Sequence, residues 1–318
     1  MSLALLWIPA TIAASLLQTA RNLTQRSLTE IIGVVGATQV RFLFGLPFAV
    51  VFLVIVCTVA GRWPPEIGTG ALAYTVGGAL TQIAATALML AAMRERSFAV
   101  TTAYTKTEPV QVAIFGALLL GDALTPLKFL AVLIATAGVV VVSWKPGEKL
   151  TALLGVGAGA FFAFSAIGYR GAIQALPEGG FFIRATTILA LGLFLQTLVL
   201  TLYMLAANRP ALISSLRNWR KSLSAGFLGA AASQCWFIGF SLTSAANVRT
   251  LALIEVPLAQ IASRRIFADG GHGNDRRRRR APADDGALAA PVPHHGPSFH
   301  ARRKCAPARL RGADGGRT

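Results

Sequence analysis

Residues 98–122 read FAVTTAYTKTEPVQVAIFGALLLGD. The stretch is apolar enough and long enough to cross a bilayer, which takes roughly 20 residues for about 30 Å of hydrocarbon. Yet Lys106 and Glu108 sit inside it, and Pro109 follows at once. A charge within a span costs about 2.5–3.5 kcal/mol on insertion scales, so such residues default to functional candidates. The run is continuous rather than alternating, which marks a helix and argues against a barrel strand. Eight more runs of this kind flank it, near 3–20, 36–60, 71–92, 127–144, 150–168, 181–206, 223–242 and 245–262. Each is bounded by charge or by Pro and Gly: Arg21 and Arg26, Arg62–Pro65, Arg94–Arg96, Gly121–Pro126, Lys145–Lys149, Arg170–Gly180, Arg209–Lys221. Nine spans are therefore expected in an all-α polytopic membrane protein.

Composition agrees. Of 318 residues, 54% are hydrophobic and only 14% charged, with a mean hydropathy of +0.59. Soluble domains carry about 25% charged residues. The formal charge of +17 divides unevenly. Residues 270–318 hold ten Arg and one Lys against four Asp, a net of +7, which leaves +10 for residues 1–269. Most body charges fall between apolar runs, so the basicity reflects topology and an unusual tail; no nucleic-acid partner is expected. Cys57, Cys235 and Cys305 are too far apart for a disulfide framework or a metal site. All four histidines, His272, His294, His295 and His300, lie in the tail. That removes a zinc-protease HExxH motif and any His-dependent triad from the body, so neither an enzyme nor a cofactor or metal is expected. The first run lacks the basic n-region of a signal peptide.

The chain repeats itself. A shift of 148 places Leu5-Leu6 on Leu153-Leu154, Leu28 on Leu176, Val100 on Val248 and Pro109 on Pro257. At slightly different shifts Arg41 pairs with Arg184, Thr81-Gln82 with Ser233-Gln234, and Gly77 with Gly229. The features recur in the same order in the same helices. This predicts one five-helix repeat over residues 1–147 and a second over 149–268 with four helices. An odd number of helices per repeat inverts the second half, a common build for secondary transporters with the solute near the midplane.

These residues resemble the EamA-like group of the drug/metabolite transporter superfamily. The resemblance rests on Ala37-Thr38-Gln39-Val40-Arg41-Phe42-Leu43, on Ala103-Tyr104-Thr105-Lys106-Thr107-Glu108-Pro109 and on Phe115 to Asp122. The second half echoes it in Leu253-Ile254-Glu255-Val256-Pro257-Leu258. It covers about residues 1–268. It implies ten helices and secondary transport of a small organic solute across the cytoplasmic (inner) membrane, with a homodimer left open. The tenth helix should follow Arg264-Arg265-Ile266-Phe267. Instead residues 269–318 form an Arg-, Ala-, Pro- and Gly-rich stretch with no long apolar run. A disordered basic tail fits this composition, as does the product of a reading-frame shift in a GC-rich gene, the expectation we favour.

The candidate site follows from the intramembrane charges. Glu108 and Glu255 precede Pro109 and Pro257, and a proline in a membrane helix frees a backbone carbonyl. A carboxylate beside such a break suits a proton, a cation or a substrate amine; equally, an ion pair of Lys106 or Arg41 with Glu108 would serve packing alone. Lys106 and Glu108 are two residues apart and do not share a helix face. Arg41 and Arg184 suit an anionic solute or, as near-terminal residues, snorkelling to the headgroups, the reading favoured here. Arg249 is placed nearer a helix end. Gln82, Gln234 and Tyr104 suit hydrogen bonds to a solute or to a neighbouring helix. The glycines of Gly155-Val156-Gly157-Ala158-Gly159 predict close helix packing. Trp7, Trp63, Trp144 and Trp219 suit interface anchors, whereas Trp236 is expected to be packed or pore-facing. Loop charges, ten Lys and Arg on one side against three on the other, place the N-terminus outside; the resemblance implies the opposite. A non-transporting membrane scaffold or an inactive truncated transporter is the alternative function.

Overall fold

A computed structural model describes residues 5–95, 98–143, 149–177 and 179–262. The tail, the expected site of a tenth helix, and Trp144 lie outside the described residues. Within them the chain is helical and contains no strand. In order the helices are α1 (Trp7–Leu43), α2 (Leu46–Ala60), α3 (Thr69–Glu95), α4 (Phe98–Thr105), α5 (Glu108–Leu120), α6 (Pro126–Ser143), α7 (Lys149–Gln174), α8 (Phe181–Ala207), α9 (Arg209–Arg217), α10 (Trp219–Leu242) and α11 (Ala245–Leu251). A 3₁₀ turn, Ala252–Ile254, follows α11, and the chain is helical again over 255–262. Five stretches are long and apolar enough to cross a membrane: Trp7–Ala60, Thr69–Glu95, Lys149–Gln174, Phe181–Ala207 and Trp219–Leu242. The protein is an all-α polytopic membrane protein.

Its polarity is inverted relative to a soluble domain. Val54, Leu118 and Leu153 are exposed, while Arg21, Gln39, Arg41, Lys106, Glu108, Arg249 and Glu255 are buried. Lipid takes the place of water outside, and the polar groups turn inward to find one another.

The first expected span is longer than its charges suggest. Arg21 and Arg26 do not end it; the helix runs on to Ile32, and Gly33, with φ 73° and ψ 174°, then kinks α1 into two helical parts, the second of which opens the span expected over 36–60. That region of backbone space is open essentially to glycine alone. Arg21 fails as a terminator because it is fully buried among other helices and never reaches a headgroup. The span expected over 98–120 is likewise two helices, α4 and α5, broken at Lys106–Thr107, and that over 245–262 is interrupted by the 3₁₀ turn. Pro109 and Pro257 account for both breaks. Proline has no N–H to donate to the preceding turn and its ring crowds that turn's carbonyl.

Two interfaces dominate the bundle, α1 with α10 and α3 with α7. The glycine stripe on α7 packs as expected. A Cβ on Gly155 would lie 2.6 Å from that of Tyr104, and one on Gly159 only 2.7 Å from the Thr105 carbonyl oxygen. The stripe thus lets α7 lie directly on the α4–α5 break and fix its position.

Candidate functional site

Both helix breaks deliver charge to the same place. The end of α4 presents Lys106 and the start of α5 presents Glu108; α11 presents Arg249, and the 3₁₀ turn leads into Glu255. All four are nearly inaccessible, with relative exposures between 1% and 4%. They pair crosswise. Lys106 Nζ lies 2.9 Å from Glu255 Oε2, and Arg249 Nε lies 3.0 Å from Glu108 Oε1. The second contact is an ion pair whose N–H is not aligned for a hydrogen bond. The expected partner of Glu108, Lys106 or Arg41, is therefore corrected to Arg249. Arg249 does lie in the last turn of α11, as expected, but that helix end is inside the bundle, so the side chain is buried. Lys106 turns away from its own neighbour Glu108, as their spacing required.

The remaining valences of Glu255 are met from α1. Gln18 Nε2 donates to both carboxylate oxygens at 3.1 and 3.0 Å, and its Oε1 accepts from Trp236 Nε1 at 2.9 Å. Trp236 is packed, and its indole face carries the Arg249 guanidinium 4.5 Å from the ring centroid. A continuous chain of contacts runs from Lys106 through Glu255, Gln18, Trp236 and Arg249 to Glu108. It links α1, the α4–α5 break, α10 and the α11 break.

Arg41 does not snorkel. It is buried, with Nη1 donating to Thr86 Oγ1 at 3.0 Å and Nη2 3.5 Å from Ser233 Oγ. It lies on the part of α1 beyond the Gly33 kink, and its side chain meets α10 at Gly229 and Ser233. Arg184 is half-buried on α8 and forms no ion pair among the described residues. Gln82 and Gln234 both reach neighbouring helices. Gln82 Oε1 accepts from Gln196 Nε2 at 2.8 Å and from the Tyr169 hydroxyl at 3.4 Å, and Gln234 Nε2 donates to Thr186 Oγ1 at 2.9 Å. Tyr104 is buried where α7 crosses the break. Trp63 and Trp219 are exposed.

Three residues escape a reading of the sequence. Gln18 and Arg21 stand at what looks like the end of the first span. Arg170 looks like a loop charge beyond the sixth. Instead Arg170 Nη2 pairs with Asp122 Oδ1 at 2.9 Å, and its Nη1 donates to the carbonyls of Phe240, at 2.7 Å, and Thr243. One side chain thereby ties the end of α5 to the last turn of α10, satisfying carbonyls that a helix C-terminus leaves unpaired. The only signal for these residues was the helical phase of α1 and α7.

Residues 5–144 match the sequence profile of the EamA-like transporter family. No curated protein matches the chain. A solved structure recorded as "Crystal structure of protein" is similar in fold, with a TM-score of 0.59 at 15% identity, over 81% of this chain and 87% of that one.

Proposed function

We propose, from the match of residues 5–144 to the EamA-like transporter family, that the chain is a secondary transporter carrying a small organic solute across the cytoplasmic membrane by alternating access. The observation that carries this reading is the crossed pairing of Lys106 with Glu255 and Arg249 with Glu108 at two broken helices. Broken helices with charges at membrane mid-depth are how secondary transporters build solute and ion sites. A buried ion pair adds little net stability, because desolvation offsets most of the attraction. Two such pairs in one place suit a centre that must exchange partners during a cycle.

An internal repeat over residues 1–147 and 149–268 supports the same reading. If α1 corresponds to α7 and α3 to α10, exchanging the halves converts the α1–α10 interface into the α7–α3 interface. Those are the two dominant interfaces of the bundle. The side chains of the centre are buried, as an occluded stage of the cycle requires, and the Asp122–Arg170 tie at one end is suited to act as a gate. Glu108 and Glu255 are placed to exchange a proton or a substrate charge, with Lys106, Arg41, Gln82, Gln234, Tyr104 and Arg184 as further candidates for solute contact.

Comparing metabolites inside and outside cells that carry or lack the gene tests the proposal. A solute should change its distribution with the wild-type chain and not with Glu108→Gln. An unchanged distribution, or one that Glu108→Gln preserves, would favour a scaffold or an inactive chain instead.

A further inference from the structure

The centre has more positive charge than its ion pairs account for. Arg21 and Arg41 both project from α1 onto one residue of α10: a Cβ on Gly229 would lie 3.1 Å from Arg41 Cγ and 3.4 Å from Arg21 Cδ. Gly229 thus holds open the space that the two side chains share. Both arginines are buried, at 0% and 2% exposure. Neither lies within ion-pair distance of a carboxylate among the described residues. Arg21 hydrogen-bonds to its neighbour Asn22 through Nε and Nη2, and Arg41 reaches only the hydroxyls of Thr86 and Ser233. Arg21 Nη1 and Arg41 Nε have no hydrogen-bond partner among the described residues. Gln18, one turn before Arg21 on α1, holds Glu255, so this pair borders the paired charges just described.

With Arg170 set aside as the partner of Asp122, the buried charges are Arg21, Arg41, Lys106 and Arg249 against Glu108 and Glu255, an excess of two positive charges. Two like charges side by side in a bilayer are repulsive, and each unpaired guanidinium is costly where water is excluded. Guanidinium donors form a rigid fork matched to carboxylate and phosphate oxygens. We propose that Arg21 and Arg41 form an anion-binding site, and that the transported solute is a small organic anion bearing a carboxylate or phosphate group. This deepens the transport reading and rests on it for the word "transported"; binding at the arginine pair stands apart. The anion's oxygens take the free Nη1 of Arg21 and Nε of Arg41, while the crossed ion pairs at the breaks close over the rest of the molecule.

The test uses the full chain purified in detergent, with thermal unfolding read against inorganic phosphate and succinate, and choline and glucose as controls. Either anion should raise the unfolding temperature in a saturable way, and neither control should. Arg41→Gln should weaken that anion about tenfold or more, the effect of one lost charge-assisted hydrogen bond, with Arg41→Lys weakening it less. Glu255→Gln, which adds to the positive excess and keeps both arginines, should tighten it. A shift that Arg41→Gln and Glu255→Gln leave untouched would overturn the site, and so would no shift with either anion. If Arg41→Gln does not fold, Glu255→Gln alone decides by its direction. Vesicles carrying the chain then separate the two claims. Flux of a neutral or cationic solute with no anion binding sinks the anion site and keeps transport. Anion binding without flux of any solute keeps the site and sinks transport.

Discussion

Breaking the Lys106–Glu255 pair one partner at a time should give unequal costs. The two groups touch at 2.9 Å with side chains 3% and 2% exposed. Removing one member of a buried pair typically costs about 3–5 kcal/mol, chiefly because the survivor is left uncompensated. Here the survivors differ. In Lys106→Ala, Glu255 keeps both contacts from Gln18 and remains in a field of excess positive charge, so the loss should fall at or below the lower end of that range. In Glu255→Ala, Lys106 is left buried without its ion-pair partner, and Gln18 Nε2 loses its acceptor as well, a further cost of about 1–3 kcal/mol. Glu255→Ala should therefore be worse by about 2 kcal/mol or more. The double variant leaves no stranded charge, though Gln18 Nε2 still lacks its acceptor, so its cost should fall short of the sum of the singles by about 1–3 kcal/mol. Unfolding of the purified chain by SDS titration, in a double-mutant cycle, measures all three. Additive costs, or Lys106→Ala as the more damaging change, would refute the pairing and with it the registration of the two helix breaks.

Other outcomes follow from the same geometry. Arg170→Ala strands Asp122 and uncaps the last turn of α10, and should destabilise by about 3 kcal/mol in the same titration; Arg170→Lys should recover part of the charge but not the fork that reaches both Phe240 and Thr243. Gly159→Val drives a side chain into the Thr105 carbonyl, 2.7 Å from where its Cβ must sit, and should cost about 1–3 kcal/mol while Gly157→Ala, whose Cβ meets only Leu88 at 3.8 Å, changes little. Gly33→Ala meets no neighbour, yet it should cost about 1–3 kcal/mol because its φ of 73° with ψ 174° suits glycine alone; thermal unfolding would register the loss.

The membrane class was legible because bilayer crossing leaves a one-dimensional signal, and a 20-residue apolar run needs no partner to be recognised. The break in residues 98–122 was legible for a similar reason: Pro109 acts on the turn before it. What the sequence could not settle was partnership. Glu108 has Lys106 two residues away and Arg41 in the next strong motif, but its partner is Arg249, 141 positions on. Only the packing of α11 against α5 brings that residue in. Arg21 was misread by the same logic that found the spans. A charge at the edge of an apolar run usually marks the membrane surface, yet the helix continues past it to the kink at Gly33, because Thr11, Ser15, Gln18 and Gln25 give it a polar stripe turned inward. Hydropathy averages over that stripe, whereas helical phase exposes it. Arg170 was missed in the same way, at the end of α7.

The account stands most directly on solute movement by the chain alone. Vesicles containing the purified full-length protein, loaded with a whole-cell metabolite extract and read by mass spectrometry against protein-free vesicles, should release or exchange at least one small organic anion in a saturable way, and Glu108→Gln should abolish that movement. Indistinguishable contents in vesicles with and without the protein, for every solute in the extract, would contradict it.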